Sequence, residues 1–164
     1  MSKLKWCLGI KNGIEVREPN ANLAEAYIQK AESALESMNL VKNQDWIIAT
    51  AYYSMYFSIY AILTKIGIKC ENHTCSIEFI KEMMLQDYNE EEIEFLEKSM
   101  RARVDKQYYT DRVVADEQSN EMMRRAPEFL VKSKEVILKL TEKEIKKIRV
   151  NIMKINNEKK GEKT

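Results

Sequence analysis

A chain of 164 residues is the size of one domain, with 45% hydrophobic residues to build a core and 32% charged residues to solvate it. Four Gly and two Pro supply too few turns for a many-stranded sandwich, barrel or doubly wound sheet, so the composition points to an all-α fold of long helices. The net charge of +1 is unevenly spread: 16 Lys/Arg face 21 Asp/Glu before residue 131, and 11 face 5 from Val131 onward.

Residues 1–19 read as an irregular arm punctuated by Gly9, Gly13 and Pro19, with Trp6 and Ile14 available to pin it down. The opening MSKLKWCLGI has no apolar run of signal-peptide length. With three cysteines, an odd number, it suggests a reducing cytoplasm and thiols that are buried or idle.

The first helix is expected to begin after Asn20 or Asn22 and to run to about Asn39, burying Leu23, Ala26, Tyr27, Ala31, Ala34, Leu35 and Met38. The second, about Asp45 to Ile66 with Gly67 as its stop, is apolar or aromatic at 16 of the 21 positions from Trp46 to Ile66. A helix so apolar has to be surrounded, either by lipid or by other helices. Four tyrosines, Tyr52, Tyr53, Tyr56 and Tyr60, favour the centre of a bundle, since lipid offers their hydroxyls no partners. Thr50, Ser54 and Ser58 form a hydroxyl stripe that suits either close helix contact or a polar cleft wall.

A loop over Lys69 to Thr74 follows. There Cys70, His73 and Cys75 are zinc-type donors, but without a finger's spacing or a fourth ligand, so no metal is expected. A brief helix then carries Ile77, Phe79, Ile80, Met83 and Met84. A fourth starts at the Asn89 cap, where Glu90, Glu91 and Glu92 suit the helix dipole. It buries Ile93, Leu96, Met100 and Val104 and ends near Tyr108 and Tyr109. The last helix runs from near Asp116 past Ile155, with Pro127 bending or breaking it. Its heptad stripes, Leu138/Ile145/Ile152 and Thr141/Ile148/Ile155, suit packing on the chain's own bundle or on a partner. Residues 156–164 are expected to fray as a basic tail, leaving 20–155 as the folded bundle.

No phosphate-loop, dinucleotide, metalloprotease or serine-hydrolase motif is present, and no cofactor is implied. The informative stretch is SMRARVDKQYYTDRV. Arg101 falls in a row with Glu97 and Asp105 at steps of four, so it reads as a surface ion pair. Arg103 lies beside the apolar stripe, and its helical neighbours Ser99, Lys106 and Gln107 offer no carboxylate. With Tyr108 and Tyr109 at the helix end it suits contact with phosphate and base; the alternative is a packed arginine among core tyrosines.

The second helix and its loop, AYYSMYFSIYAILTKIGIKCENHTCSIEF, together with the opening WCLGIKNGIEVREPNANLAEAYIQKAESAL and the stretch RVDKQYYTDR, resemble an archaeal and bacterial branch of the HEPN domain family. The resemblance implies an up-and-down bundle of four to five helices, a homodimer, and a nucleotidyltransferase-like partner in a toxin–antitoxin pair. It also implies RNA or nucleotide binding, and for many members metal-independent RNA cleavage by an Arg and a His four to six residues later. Arg103 matches the motif Arg, with Arg101 a second candidate, while Tyr108 occupies the His position. A phenol titrates near ~10 and an imidazole near ~6.5, so tyrosine is the poorer proton shuttle. His73 takes that role only if the fold carries it to Arg103. The family's modified tyrosine falls at Thr110, one residue beyond Tyr109. The expected site is therefore Arg101, Arg103, Asp105, Tyr108 and Tyr109 for binding, with Arg103 and Tyr108 as catalytic candidates. Binding of RNA or nucleotide leads, ahead of a variant ribonuclease toxin or a non-catalytic helical scaffold, in the cytoplasm and off the membrane.

Overall fold

The structure of the protein, a computed structural model, describes residues 2–161. It is an all-α bundle of seven helices with one two-stranded ribbon among the described residues. The longest helices are α2 (Ala21–Leu40), α3 (Gln44–Ile66), α5 (Glu90–Tyr108), α6 (Asp116–Lys139) and α7 (Glu142–Gly161); α1 (Lys3–Cys7) and α4 (His73–Met83) are shorter.

α3 is the axle. It packs against α2, α4, α5, α6 and α7, and buries Ile48, Tyr52, Met55, Ile59, Ile62, Leu63 and Ile66 completely. Among the described residues it alone is long and apolar enough to cross a membrane, and 72% of its most apolar window is buried by the protein itself. Its ends are set locally. Asn43 caps the N-terminus by accepting from the Asp45 amide, and Gly67 terminates it at φ +88°, where a Cβ would lie 2.5 Å from the Arg17 carbonyl oxygen. Arg149 of α7 donates to the carbonyls of Arg17, Ile66 and Gly67, meeting acceptors that the end of a helix leaves open.

The hydroxyl stripe is turned inward. Ser54 and Ser58 are fully buried, and the Thr50 and Ser58 hydroxyls donate to the Trp46 and Ser54 carbonyls four residues back, so the stripe belongs to helix packing and not to a cleft wall. On α2 the buried line is Ala24, Ile28, Ala31 and Met38, while Leu23 and Ala26 face outward.

Several expectations are corrected. Residues 2–19 are not wholly irregular: Ser2 caps α1, and β1 (Ile14–Val16) pairs antiparallel with β2 (Ile68–Cys70) in the register Glu15 opposite Lys69. That strand and the start of α4 occupy most of the stretch read as a loop. Cys7 and Cys75 are a disulfide joining α1 to α4, since folding the arm back brings together two cysteines 68 residues apart; Cys70 stays a free, buried thiol. The last helix passes through Pro127 unbroken and stops at Leu140 instead. A new helix starts there because Thr141 and Glu144 form a reciprocal cap: the Thr141 hydroxyl accepts from the Glu144 amide, and the Glu144 carboxylate accepts from the Thr141 amide. This break cuts the heptad stripe. Leu138 is 84% exposed on α6, whereas Ile145, Ile148, Ile152 and Ile155 of α7 pack on the chain's own core. That packing keeps α7 helical past Asn156 to Gly161; the rest of the expected tail, 162–164, lies outside the described residues.

Candidate functional site

α5 positions the site. Asn89 and Glu92 form a capping box at its start, and its inward line runs Ile93, Leu96, Ser99, Ala102 and Arg103. Met100 and Val104, expected in that line, are only half-buried, because toward its C-terminus the helix presents Arg103 to the bundle in their place.

Arg103 is 8% exposed. Its guanidinium donates to the Gln107 side-chain oxygen at 3.0 Å and lies over two rings of α3, 5.2 Å from the Tyr52 centroid and 5.5 Å from that of Tyr53. Its buried Nε has no hydrogen-bond partner, and among the described residues no carboxylate pairs with it. A buried cation with an unused donor is costly for the fold alone, so the arrangement is unfinished as a purely structural device.

His73 reaches the same cluster. It is the first residue of α4, not a loop residue, because Asn72 caps that helix by accepting from the Cys75 amide. Its Nδ1 lies 2.8 Å from the Tyr52 hydroxyl, and its ring stacks on Tyr56 at 3.8 Å. Burial, and then the charge of Arg103, push its pKa down to about 4, so the imidazole is neutral at pH 7. Burial raises the Tyr52 and Tyr56 phenols, which also stay neutral. When Nδ1–H donates to the Tyr52 hydroxyl, Nε2 keeps a lone pair that can accept a proton; when Tyr52 donates to Nδ1, Nε2 carries the ring proton and can only donate.

This pKa shift has a testable consequence. The folded value of about 4 lies below the ~6.5 of an unfolded histidine, so between those values the unfolded chain holds a proton that the folded chain lacks. Stability is therefore expected to fall as the pH drops from about 6.5 toward about 4, and His73 should contribute no slope above that window. Urea midpoints measured across it should fall less steeply for His73→Gln than for the wild type; parallel curves would count against the burial of this imidazole.

Beside Arg103 a cavity of about 220 Å³ opens between the start of α3 and the end of α5. Tyr53 and Gln107 belong both to the Arg103 cluster and to the cavity wall, which continues through Trp46, Lys106 and Asp45. Trp46 is 63% exposed, and Lys106 pairs with Asp45 at 3.2 Å. The cavity thus offers two aromatic faces, a lysine, and a buried arginine behind the wall.

The other expected residues lie apart from Arg103. Tyr108, five positions on, is turned about 140° around the helix and is 66% exposed. Tyr109 lies under the Arg112 guanidinium at 3.6 Å, and Arg112 in turn holds Asp105 at 2.6 Å, so these three form an outer stack of their own. Arg101 is exposed, and the expected ion-pair row is not made: Glu97 pairs with Lys81 and Asp105 with Arg112. Cys75, read as a possible metal donor, is spent in the disulfide; among the described residues no three His, Cys, Asp or Glu side chains gather as a metal site. Sequence reasoning missed Tyr52, Tyr53, Gln107, Trp46 and Lys106. The adjacent Tyr52–Tyr53 pair on the most apolar helix was the available signal.

Compared with known proteins, residues 22–148, most of the chain, match the HEPN domain family. No curated protein sequence matches it.

Proposed function

The chain belongs to the HEPN domain family, and from that premise we propose that it binds RNA or nucleotide in the cavity beside Arg103. The observation that carries the reading is the Arg103 guanidinium, buried, unmatched by any carboxylate among the described residues and left with an unused Nε donor. A base stacks against Trp46 and Tyr53, Lys106 meets phosphate, and Arg103 supplies positive potential through the Gln107 wall. Tyr108 and Tyr109, exposed just beyond, are open to a nucleotidyltransferase-like partner in a toxin–antitoxin pair, and the active form is a homodimer. Binding is read by tryptophan fluorescence in a Trp6→Phe background, which leaves Trp46 as the sole reporter. ATP and a single-stranded oligoribonucleotide are both expected to quench it. Trp46→Ala, followed by calorimetry because it removes the reporter, should weaken binding about 5- to 150-fold, the worth of one stacked base at ~1–3 kcal/mol. Absence of quenching together with absence of binding by calorimetry rejects the cavity.

One observation favours a second reading, metal-independent RNA cleavage: a neutral His73 hydrogen-bonded to Tyr52, whose ring also carries Arg103. In that chemistry His73 Nε2 takes the proton of a ribose 2′-hydroxyl, the oxygen attacks phosphorus, and the 5′-oxygen leaves with a proton from water, giving a 2′,3′-cyclic phosphate. Fragments with such ends, formed in the presence of a chelator and lost in His73→Ala, would establish cleavage; intact RNA leaves binding as the function.

A further inference from the structure

α7 carries a charged face that neither the fold nor the Arg103 cavity uses. Its inner side is occupied: Ile152 is fully buried, and Ile145, Ile148 and Ile155 pack beside it. Arg149 is spent on the end of α3. At about 100° per residue, Lys143, Lys147 and Lys154 fall within roughly 40° of one another on the opposite side, with Lys146 flanking them. All four are exposed, and among the described residues none is held by an ion pair or hydrogen bond.

The acids of α7 do not cancel the Lys143/Lys147/Lys154 row: Glu142, exposed four residues before Lys146, lies about 100° around the helix from Lys143. Glu144 is turned back to its cap, where the Thr141 amide and hydroxyl hold its carboxyl below the usual range. Glu158 pairs with Lys5 of α1. Elsewhere the bundle's cations are commonly matched, as in Lys106 with Asp45, Arg112 with Asp105, Arg125 with Glu91 and Lys132 with Glu92. Leaving a row of like charges unmatched along one helix carries a repulsive cost that a polyanion relieves.

We propose that this outward face of α7 is a track for the phosphate backbone of single-stranded RNA. The choice of RNA as the ligand rests on the proposed function above; the site itself does not depend on Arg103. Charge complementarity decides the occupant. A helix lying on a membrane needs a broad outward apolar face, and α7 has turned its isoleucines inward, leaving only Val150 and Met153 partly exposed between the lysines. A row of point charges along a helix suits a flexible line of phosphates, where sequence is not read.

The test is the triple variant Lys143→Gln, Lys147→Gln, Lys154→Gln in the full chain, with a labelled 20-nucleotide oligouridylate as the probe. Affinity at low salt is expected to drop tenfold or more. The slope of log affinity against log salt should shrink by about 2, since each phosphate neutralised on a single strand contributes ~0.7. The melting temperature and ATP affinity should stay unchanged, and the Lys→Arg triple should bind as the wild type does. Unchanged RNA affinity and slope in the Gln triple overturn the track, as does a variant that loses binding only to phosphatidylserine vesicles or only to an acidic peptide. Failure of the cavity reads differently: ATP binding is then absent or indifferent to Arg103, while the oligouridylate still responds to the lysines.

Discussion

Arg103→Met is expected to abolish most nucleotide and RNA binding while leaving the protein as stable as before, or more so. The two halves of this expectation come from one geometry. Arg103 acts on a bound anion as a charge behind the Gln107 wall, worth on the order of 2 kcal/mol across ~8–10 Å at an effective dielectric constant of ~20, so loss of the guanidinium should weaken binding roughly 10- to 30-fold. In the fold the same group is 8% exposed, has no carboxylate partner among the described residues and leaves Nε unsatisfied, so a methionine of similar length removes a desolvation cost while keeping contact with Tyr52 and Tyr53. Lysine should not rescue binding fully, because a point charge lacks the guanidinium's planar fork and its stacking on the two tyrosines. Calorimetric titration with ATP and urea denaturation of the same variant decide the matter. Unchanged affinity would show that Arg103 does not serve the ligand, and a large loss of stability would show that the fold itself depends on the charge.

The second large effect concerns the bridge between Cys7 and Cys75. It closes a loop across 68 residues. In the chain-entropy description such a cross-link stabilises by about 4 kcal/mol through restriction of the unfolded chain. The double variant Cys7→Ala, Cys75→Ala is therefore expected to lose up to about 4 kcal/mol, read as a lower urea midpoint, and a dithiol reductant should produce much the same shift in the wild type while leaving the double variant unaffected. Cys75 lies on the first turn of α4, two residues after His73, and anchors α1 beneath it. Release of α1 should accordingly raise hydrogen exchange across 3–7 and at the start of α4 before the rest of the bundle. A wild-type midpoint indifferent to reductant would mean the two thiols are not joined in solution. The bridge also removes the cysteine-based argument for a reducing compartment, since an odd cysteine count is equally met by one disulfide and one buried thiol.

The sequence by itself determined the helices whose limits are written in their own residues. Asn20, Asn43 and Asn89 each cap the helix that follows, and Gly67 supplies the left-handed residue that ends α3, because caps act within one turn. The apolar run of α3 likewise required burial, whatever surrounded it. The same kind of signal, Thr141 with Glu144, stands at the true break in the last helix, whereas Pro127, where a bend or break was expected, is a residue the helix absorbs. Other features were beyond local reading. Arg103 sits between half-buried Val104 and buried Ala102, and periodicity cannot tell an arginine that spans the edge of a core from one that lies inside it. Only the tertiary structure turned it onto Tyr52 and Tyr53, sent Tyr108 and Asp105 to the other side of α5, and carried His73, 21 residues on in the chain, to the Tyr52 hydroxyl. It also brought Cys7 to Cys75. These contacts join separate helices, and their geometry follows from how α3 is enclosed by its neighbours, which no window of consecutive residues contains.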